Sequence, residues 1–448
     1  MDENIILTPK QEVAVHLACE WYGSSTKYGP FILTGVAGSG KTTLINFIIN
    51  ELNIPYNRVA FASYTGKAAS VLNRKGLPAT TIHKLIYKVV FPDHYKDIKD
   101  YDSFNDMVKD QEAEKIENYE QNSNNLLECE FVLKSKDEMT SFYDLIVIDE
   151  ISMVNKDLLD DLLSFKIPII ACGDPFQLQP VGGECNDLIN HPHIFLDEPL
   201  RQALDSPIIY LSNKIRNGGK LSIGNYGKDV KIGYKNRINE SCYLNADQIL
   251  CGKNITVNNI NKMYREKFLK TSSPFPQIGE KLICLKNNYN IIYEENGLVQ
   301  PLVNGLTCIF EGQNSYYKKE RVLLASLRPD YFENINNFVI PIDYLYFKLN
   351  LKDDKYFYEN SKEYIDEEEE ENEGNTFFDL LLERKDFEIN YNNKINKFNF
   401  GYCITVHKAQ GSQYKKVLLI NEYLNRNTYK NWLYTAITRA EEKLIIVL

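Results

Sequence analysis

The chain has 448 residues, 44% hydrophobic and 25% charged, the balance of an ordinary globular protein with room for roughly two to four structural units. No apolar run reaches the length of a membrane span, and the start Met1-Asp2-Glu3-Asn4 lacks the basic residues of an export signal. The nine cysteines stand singly with no C-x-x-C pair, so neither a disulfide framework nor a zinc site is expected, and a reducing cytoplasm is. The net charge of −10 does not exclude an anionic partner, because binding follows local patches and much of the acidity is concentrated in two stretches.

Near the start, Thr8 is placed to cap a helix with Pro9 at its first position, and Val13, Leu17 and Trp21 continue an apolar face. Gln11 has an amide that both donates and accepts, as reading an adenine edge requires; taken alone it is a surface residue. Phe31-Ile32-Leu33 reads as a buried strand, and Gly35 to Thr42 follows it with the spacing G-x-x-x-x-G-K-[ST]. The next residues, Thr43 to Ile49, are apolar at helical spacing. Strand, glycine loop and helix together make a phosphate cradle. Gly35, Gly38, Ser39 and Gly40 turn backbone N–H groups inward, and the helix N-terminus adds partial positive charge. Lys41 is expected on the β- and γ-phosphates and the Thr42 hydroxyl on Mg²⁺.

Arg58–Ala62 is a second strand leading into Ser63-Tyr64-Thr65-Gly66-Lys67, a helix start suited to a phosphate or to a plain cap. Thr80-Thr81-Ile82-His83-Lys84 is another cluster of phosphate donors, although a lone histidine is more often structural. From Phe91 to Met139 the chain turns acidic and Tyr- and Asn-rich, with a returning strand near Glu130–Lys134, the pattern of an insertion. Tyr143–Glu150 is an unbroken apolar strand ending in two carboxylates. After a phosphate loop, Asp149 is expected to hold Mg²⁺ and Glu150 to deprotonate the attacking water. Pro168–Cys172 is the next strand, running into a polar turn where Gln177 is placed to sense the γ-phosphate.

Arg201 follows a strand-to-helix passage, where a guanidinium can serve phosphoryl transfer or a surface ion pair. Gln248–Cys251 is again a core strand, and Asn254–Val257 enters a helix. Residues 275–398 carry short β-like runs (Lys281–Leu285, Leu306–Phe310, Arg321–Ala325) and the acidic block Asp366–Glu371, which reads as a solvated loop. The α/β pattern then returns. Gly401–Gln413 precedes the strand Val417–Ile420, Leu433–Ala440 reads as a helix carrying Arg439, and Lys443–Leu448 closes as a strand.

In this order Gly35–Thr42, Asp149–Met153, Gly173–Val181, Thr405–Gln413 and Tyr434–Ala440, with Thr81–His83 and Leu200–Ser206, resemble the motifs of superfamily-one DNA helicases of the branch that includes RecD and Dda. Tyr64 and Gln179 stand where relatives often have proline. The resemblance implies an α/β fold of two RecA-like domains with parallel sheets, 1–83 with 140–198 and 199–274 with 399–448. It also implies a pin-type insertion at 84–139 and an SH3-like β insertion at 275–398. ATP and Mg²⁺ would lie between the RecA-like domains, held by Gln11, Gly35 to Thr43, Asp149, Glu150, Gln177 and Gly411, with Arg201 and Arg439 from the second. Single-stranded DNA would meet Thr65, Lys67, Thr81 and His83 on one domain and Thr405 and His407 on the other. Implied too are forked duplex DNA as substrate, single-strand-binding or replication proteins as partners, a monomer free of membrane in a bacterial or phage-infected cell, and 5′→3′ movement. A strand translocase or protein-displacing ATPase is the alternative. A small-molecule kinase has no use for Thr405–Gln413 or Arg439.

Overall fold

The computed structural model describes residues 6–25, 27–90, 130–178, 187–200, 205–273, 275–286, 288–295, 298–302, 304–317, 322–330, 338–343, 347, 395–423 and 428–448. The acidic stretch 91–129, the block Asp366–Glu371, Gln179 and Arg201 lie outside them, as does the side chain of Lys67. Two compact units emerge: residues 1–88, 133–254 and 404–448 form one, and 89–132 with 255–403 the other.

The first unit holds two six-stranded sheets. One is built from β1 (Phe31–Gly35), β2 (Val59–Ser63), β3 (Ala79–Thr81), β6 (Leu145–Asp149), β7 (Ile169–Gly173) and β8 (Ile194–Leu196), in the order β3-β2-β6-β7-β1-β8. Its pairings are parallel. Between β3 and β6 in sequence lies the ribbon of β4 (Tyr87–Val90) and β5 (Glu130–Leu133). Central strands of such a sheet are covered on both faces, which is why the sequence shows apolar runs rather than alternation. Strand period two still sorts the side chains. Phe31, Leu33, Val59, Phe61, Leu145 and Val147 enter one core, and Ile32, Ala60, Ala62, Ile146 and Ile148 enter the other.

The first core is closed by α1 (Pro9–Gly23) and α2 (Lys41–Glu51). Helix α1 starts as expected, with Thr8 and Gln11 forming a reciprocal capping box and Pro9 in the first turn. Its buried stripe is Gln11, Ala14, Ala18 and Trp21, however, and Val13 is half exposed, so the apolar face expected from Val13 and Leu17 is rotated. Alanine on the packed face suits close approach, and α1 packs on α2.

The other sheet of this unit contains β9 (Gly224–Tyr226), β10 (Val230–Gly233), β11 (Gln248–Cys251), β19 (Cys403–Thr405), β20 (Tyr414–Ile420) and β21 (Ala440–Val447), ordered β19-β11-β20-β21-β10-β9. Its described pairings are parallel save the edge pair β9–β10. Two parallel-sheet α/β layers of this kind are the RecA-like pair.

In the second unit, β12 (Lys281–Cys284), β15 (Thr307–Tyr317), β16 (Val322–Pro329), β17 (Phe338–Asp343) and β18 (Phe398–Phe400) form a five-stranded antiparallel sheet around an apolar core, alongside the hairpin of β13 (Asn288–Glu295) and β14 (Leu298–Leu302). Its root is a buried ion pair. Arg265 donates from Nε to Glu280 at 2.7 Å and from Nη1 and Nη2 to the carbonyls of Ser273 and Phe275, with its guanidinium 3.9 Å from the Phe400 ring centre.

Candidate nucleotide site

The loop between β1 and α2 turns through Gly38 (φ +77°) and Gly40 (φ +80°), left-handed conformations that glycine adopts without penalty. A Cβ on Gly40 would sit 2.8 Å from Leu200 and 2.9 Å from Gln11 Nε2, so glycine is required on contact grounds as well. Gln11 accepts from Thr8 N with Oε1 and donates from Nε2 to the Ser39 carbonyl at 3.1 Å. That places it as a brace of the loop, one amide hydrogen still available.

The loop opens on a cavity of about 550 Å³ lined by Ala37 to Thr43, Asp149, Glu150, Gln177, Gly411 and Arg439, among others. Residues more than 400 positions apart in sequence thus share one site: β1, β6 and β7 deliver their C-terminal ends to it, and the residues just before β20 and β21 supply Gly411 and Arg439. The Lys41 ammonium donates to the carbonyls of Gly35 at 2.7 Å and Val36 at 3.1 Å. The Ser39 hydroxyl is buried with no hydrogen-bond partner, and an orphaned buried hydroxyl costs about 1–3 kcal/mol. A phosphate oxygen seated in the loop would relieve it, so the residues present fit a nucleotide's phosphates. Thr42 and Asp149 both line the cavity and supply oxygen ligands of the kind Mg²⁺ takes.

At the end of β6, Asp149 Oδ1 accepts from Glu150 N at 3.1 Å, and Glu150 itself is left-handed (φ +57°). Burial raises the Glu150 carboxyl above its ordinary value. Asp149 and Asp174 push the same way, and Arg439 and Lys41 oppose them. Its Oε1 accepts from Gln177 Nε2 at 3.5 Å, and Gln177 Oε1 in turn accepts from Arg439 Nη2 at 3.1 Å. The three side chains form a relay from the first sheet to the second.

Arg439 does not lie on a helix, contrary to the sequence expectation. The helix Tyr429–Ile437 ends at its cap Thr438, and Arg439 is the single residue between that cap and β21. The departure fixes its aim: Nη1 donates to Ser412 O at 3.0 Å and Nε to Thr435 O at 3.1 Å. Gly411 (φ +69°) stands at the same wall, where a Cβ would meet Thr65 Oγ1 at 3.1 Å and Ala68 Cβ at 3.3 Å.

Several residues that join the two sheets have no expected role from the sequence. Tyr434 accepts from Ala37 N at 2.9 Å and donates to Asp174 Oδ2 at 2.6 Å. Leu178 N donates to Thr435 Oγ1 at 2.9 Å, and Gln410 Nε2 donates to the Leu178 carbonyl. The sequence signal was the segment Tyr434–Ala440 itself; only the fold shows which of its members reach the loop.

The residues expected on DNA are placed as follows. Thr65 caps the helix Gly66–Arg74 by accepting from Ala68 N at 3.1 Å, and Thr81 caps Ile82–Ile86 by accepting from Lys84 N at 3.3 Å. Thr405 accepts from Lys408 N at 3.4 Å. His83 lies between Tyr64 and Tyr87, 6.2 and 5.9 Å between ring centres. Burial lowers the pKa of His83 and His407, which favours neutral imidazoles.

Residues 22–183 match the AAA domain family, and residues 400–447 match the UvrD-like helicase C-terminal domain. An uncharacterised mimivirus protein is 26% identical over 97% of this chain and 98% of its own length. The RecBCD enzyme subunit RecD of Buchnera aphidicola is 24% identical over 92% of this chain and 69% of that protein. The ATP-dependent DNA helicase dda of phage T4 is 25% identical over 56% of this chain and 55% of its own. Among solved structures, a Pif1 helicase at forked duplex DNA covers 99% of this chain at 18% identity with a TM-score of 0.49.

Proposed function

The chain belongs to the superfamily-one helicases of the RecD and Dda kind, and from that premise we propose that it is an ATP-driven motor that moves 5′→3′ on single-stranded DNA and opens the duplex ahead. The observation that carries this reading is the relay Glu150–Gln177–Arg439. A kinase or regulatory ATPase needs no second sheet at the phosphates; a motor does, because hydrolysis must alter how two grips on the strand relate.

In this reading Lys41 binds the β- and γ-phosphates, and Thr42 and Asp149 hold Mg²⁺. Held there, the metal would offset negative charge on the phosphates. Glu150 takes the proton of the water that attacks the terminal phosphorus, Gln177 orients that water, and Arg439 balances charge on the transferred group, with Arg201 as a second cation. Gln11 offers its remaining N–H to the base. Thr65, Lys67, Thr81 and His83 grip the strand from the first sheet, Thr405 and His407 from the other. The helix caps among them present backbone N–H groups, which bind phosphate without reading sequence. We divide the chain accordingly into RecA-like domains at 1–83 with 140–198 and 199–274 with 399–448, a pin-type insertion at 84–139 and an SH3-like insertion at 275–398.

Opening a base-pair step costs about 1.4 kcal/mol, a modest load for one hydrolysis. The test is ATP-driven unwinding of short duplexes with either a 5′ or a 3′ single-stranded tail. Release from the 5′-tailed duplex alone supports motor and polarity together. Release from the 3′ tail alone keeps the motor and reverses the polarity. If neither duplex opens while single strands stimulate hydrolysis, the unwinding reading fails and a translocase is left.

A further inference from the structure

One margin of the molecule is charged against the trend of the whole. From Lys214 to Arg237 the chain carries seven Lys or Arg against one Asp, a local net of +6 in a chain whose total is −10. These residues run from the last turn of the helix Pro207–Arg216 through the turn at Gly218, along β9 and β10, and into the turn Lys235–Arg237. Strand β9 is the terminal strand of its sheet, so the stretch forms that sheet's outer edge.

Two of the seven cations are engaged. Arg216 donates to the Asp197 carbonyl at 2.9 Å, and Lys214 lies 5.6 Å over the Tyr226 ring. The other five, Lys220, Lys228, Lys231, Lys235 and Arg237, are exposed and enter no ion pair among the described residues. At about 3.3 Å of rise per residue, Lys228, Lys231 and Lys235 form a row no longer than about 23 Å. Tyrosines interleave with them: Tyr210 is 54% exposed with its ring 6.4 Å from that of Tyr226, and Tyr234 is 51% exposed. Unpaired cations fit a phosphate backbone. Exposed aromatic rings add something only where bases are free to stack, which a duplex does not offer.

We propose that this edge binds a single strand of DNA at a second site, apart from the strand the motor tracks. Thr405 lies on β19, the opposite terminal strand of the same six, four inter-strand spacings or about 19 Å from β10 and its lysine row. The proposal rests on the unwinding reading, which supplies the occupant: the strand displaced when the duplex opens. Held on the outer edge, that strand cannot re-anneal behind the motor.

The experiment compares the full chain with Lys228→Gln/Lys231→Gln/Lys235→Gln for equilibrium binding to a fork with two single-stranded arms and to a duplex with the 5′ tail alone. Binding is read by fluorescence anisotropy across a salt series. Three lost single-strand phosphate contacts lower the slope of log K against log salt by about 2 on the fork. The tailed duplex keeps its slope, and hydrolysis stimulated by a short oligonucleotide is unchanged. Tyr210→Ala/Tyr234→Ala weakens fork binding with little change in slope. An unchanged slope on the fork, or an equal fall on both DNAs, overturns the second site; circular dichroism and the thermal midpoint confirm that the variants fold. A wild-type chain whose hydrolysis ignores DNA would instead sink the motor reading, so the two failures are distinguishable.

Discussion

Replacing Tyr434 by phenylalanine separates the cost of joining the sheets from the cost of binding nucleotide. The hydroxyl makes two bonds, one accepted from Ala37 N at 2.9 Å and one donated to Asp174 Oδ2 at 2.6 Å, and the ring is buried. Losing a buried bond to a carboxylate costs about 1.5–3 kcal/mol, and Asp174 keeps the Phe176 N–H at 3.0 Å. Losing the neutral bond from Ala37 costs about 1 kcal/mol more. The variant is therefore expected to unfold in urea with about 2–4 kcal/mol less stability. Nucleotide affinity moves the other way. The Ala37 N–H belongs to the phosphate loop, and when nucleotide binds, a phosphate oxygen is expected to replace the tyrosine as its acceptor. Phenylalanine thus penalises the free form by about 1 kcal/mol that the bound form does not pay, and binding tightens by roughly fivefold. Titration with a fluorescent ADP analogue reads this directly. A weaker or unchanged dissociation constant would refute the exchange of partners at Ala37.

Lys41→Ala is expected to abolish hydrolysis while leaving most single-strand binding, measured as phosphate release beside anisotropy. Glu150→Gln should also stop turnover, yet raise the thermal midpoint at neutral pH. Burial holds the Glu150 proton more tightly in the folded chain than in the unfolded one, so its stabilising contribution is full below the unfolded value and lost as pH rises through the folded one. Glutamine keeps a neutral group throughout; a midpoint difference that fails to grow from pH 5 to pH 8 would contradict this. For the same reason the wild-type rate should climb with pH through a carboxyl value above the ordinary range. Arg265→Met is expected to cost about 3–5 kcal/mol, since it strands Glu280 without its buried partner, whereas Arg265→Met/Glu280→Leu recovers much of the loss in the same urea titration.

The sequence was most legible where backbone and burial act locally. Phe31–Leu33 and Gln248–Cys251 are strands because their apolar runs leave no polar face, and the glycines of the phosphate loop announce left-handed turns. The capping box at Thr8 was readable for the same reason, since its two bonds span three residues. What was hidden depends on distance in sequence. The buried face of α1 follows Ala14 and Ala18, because its neighbour's proximity, not its own hydrophobicity, selects the stripe. Arg439 sits at a break between helix and strand that Ala436–Ala440 does not signal, because it holds no glycine or proline and Ala436, Arg439 and Ala440 are good helix formers. The strands β8, β9 and β10, three or four residues long, are too short to show a period, and the basic margin is masked by the negative total charge of the chain.

The strand order of the second sheet also sets a timetable for synthesis. The first sheet has all its strands once Leu196 has emerged from the ribosome. Strand β10 must wait for β21, which lies between β20 and β10 in space but follows β10 by about 200 residues in sequence. At about 5–20 residues per second, the interval between Leu196 and Ala440 is roughly 12–50 s. Throughout it the nascent chain carries a finished phosphate loop without Arg439, so nucleotide can bind before it can be turned over with the full set of groups. Over most of the same interval β10 exposes a hydrogen-bonding edge that another chain could pair with. Nucleotide bound early would steady the completed half while the rest of the protein is still being made.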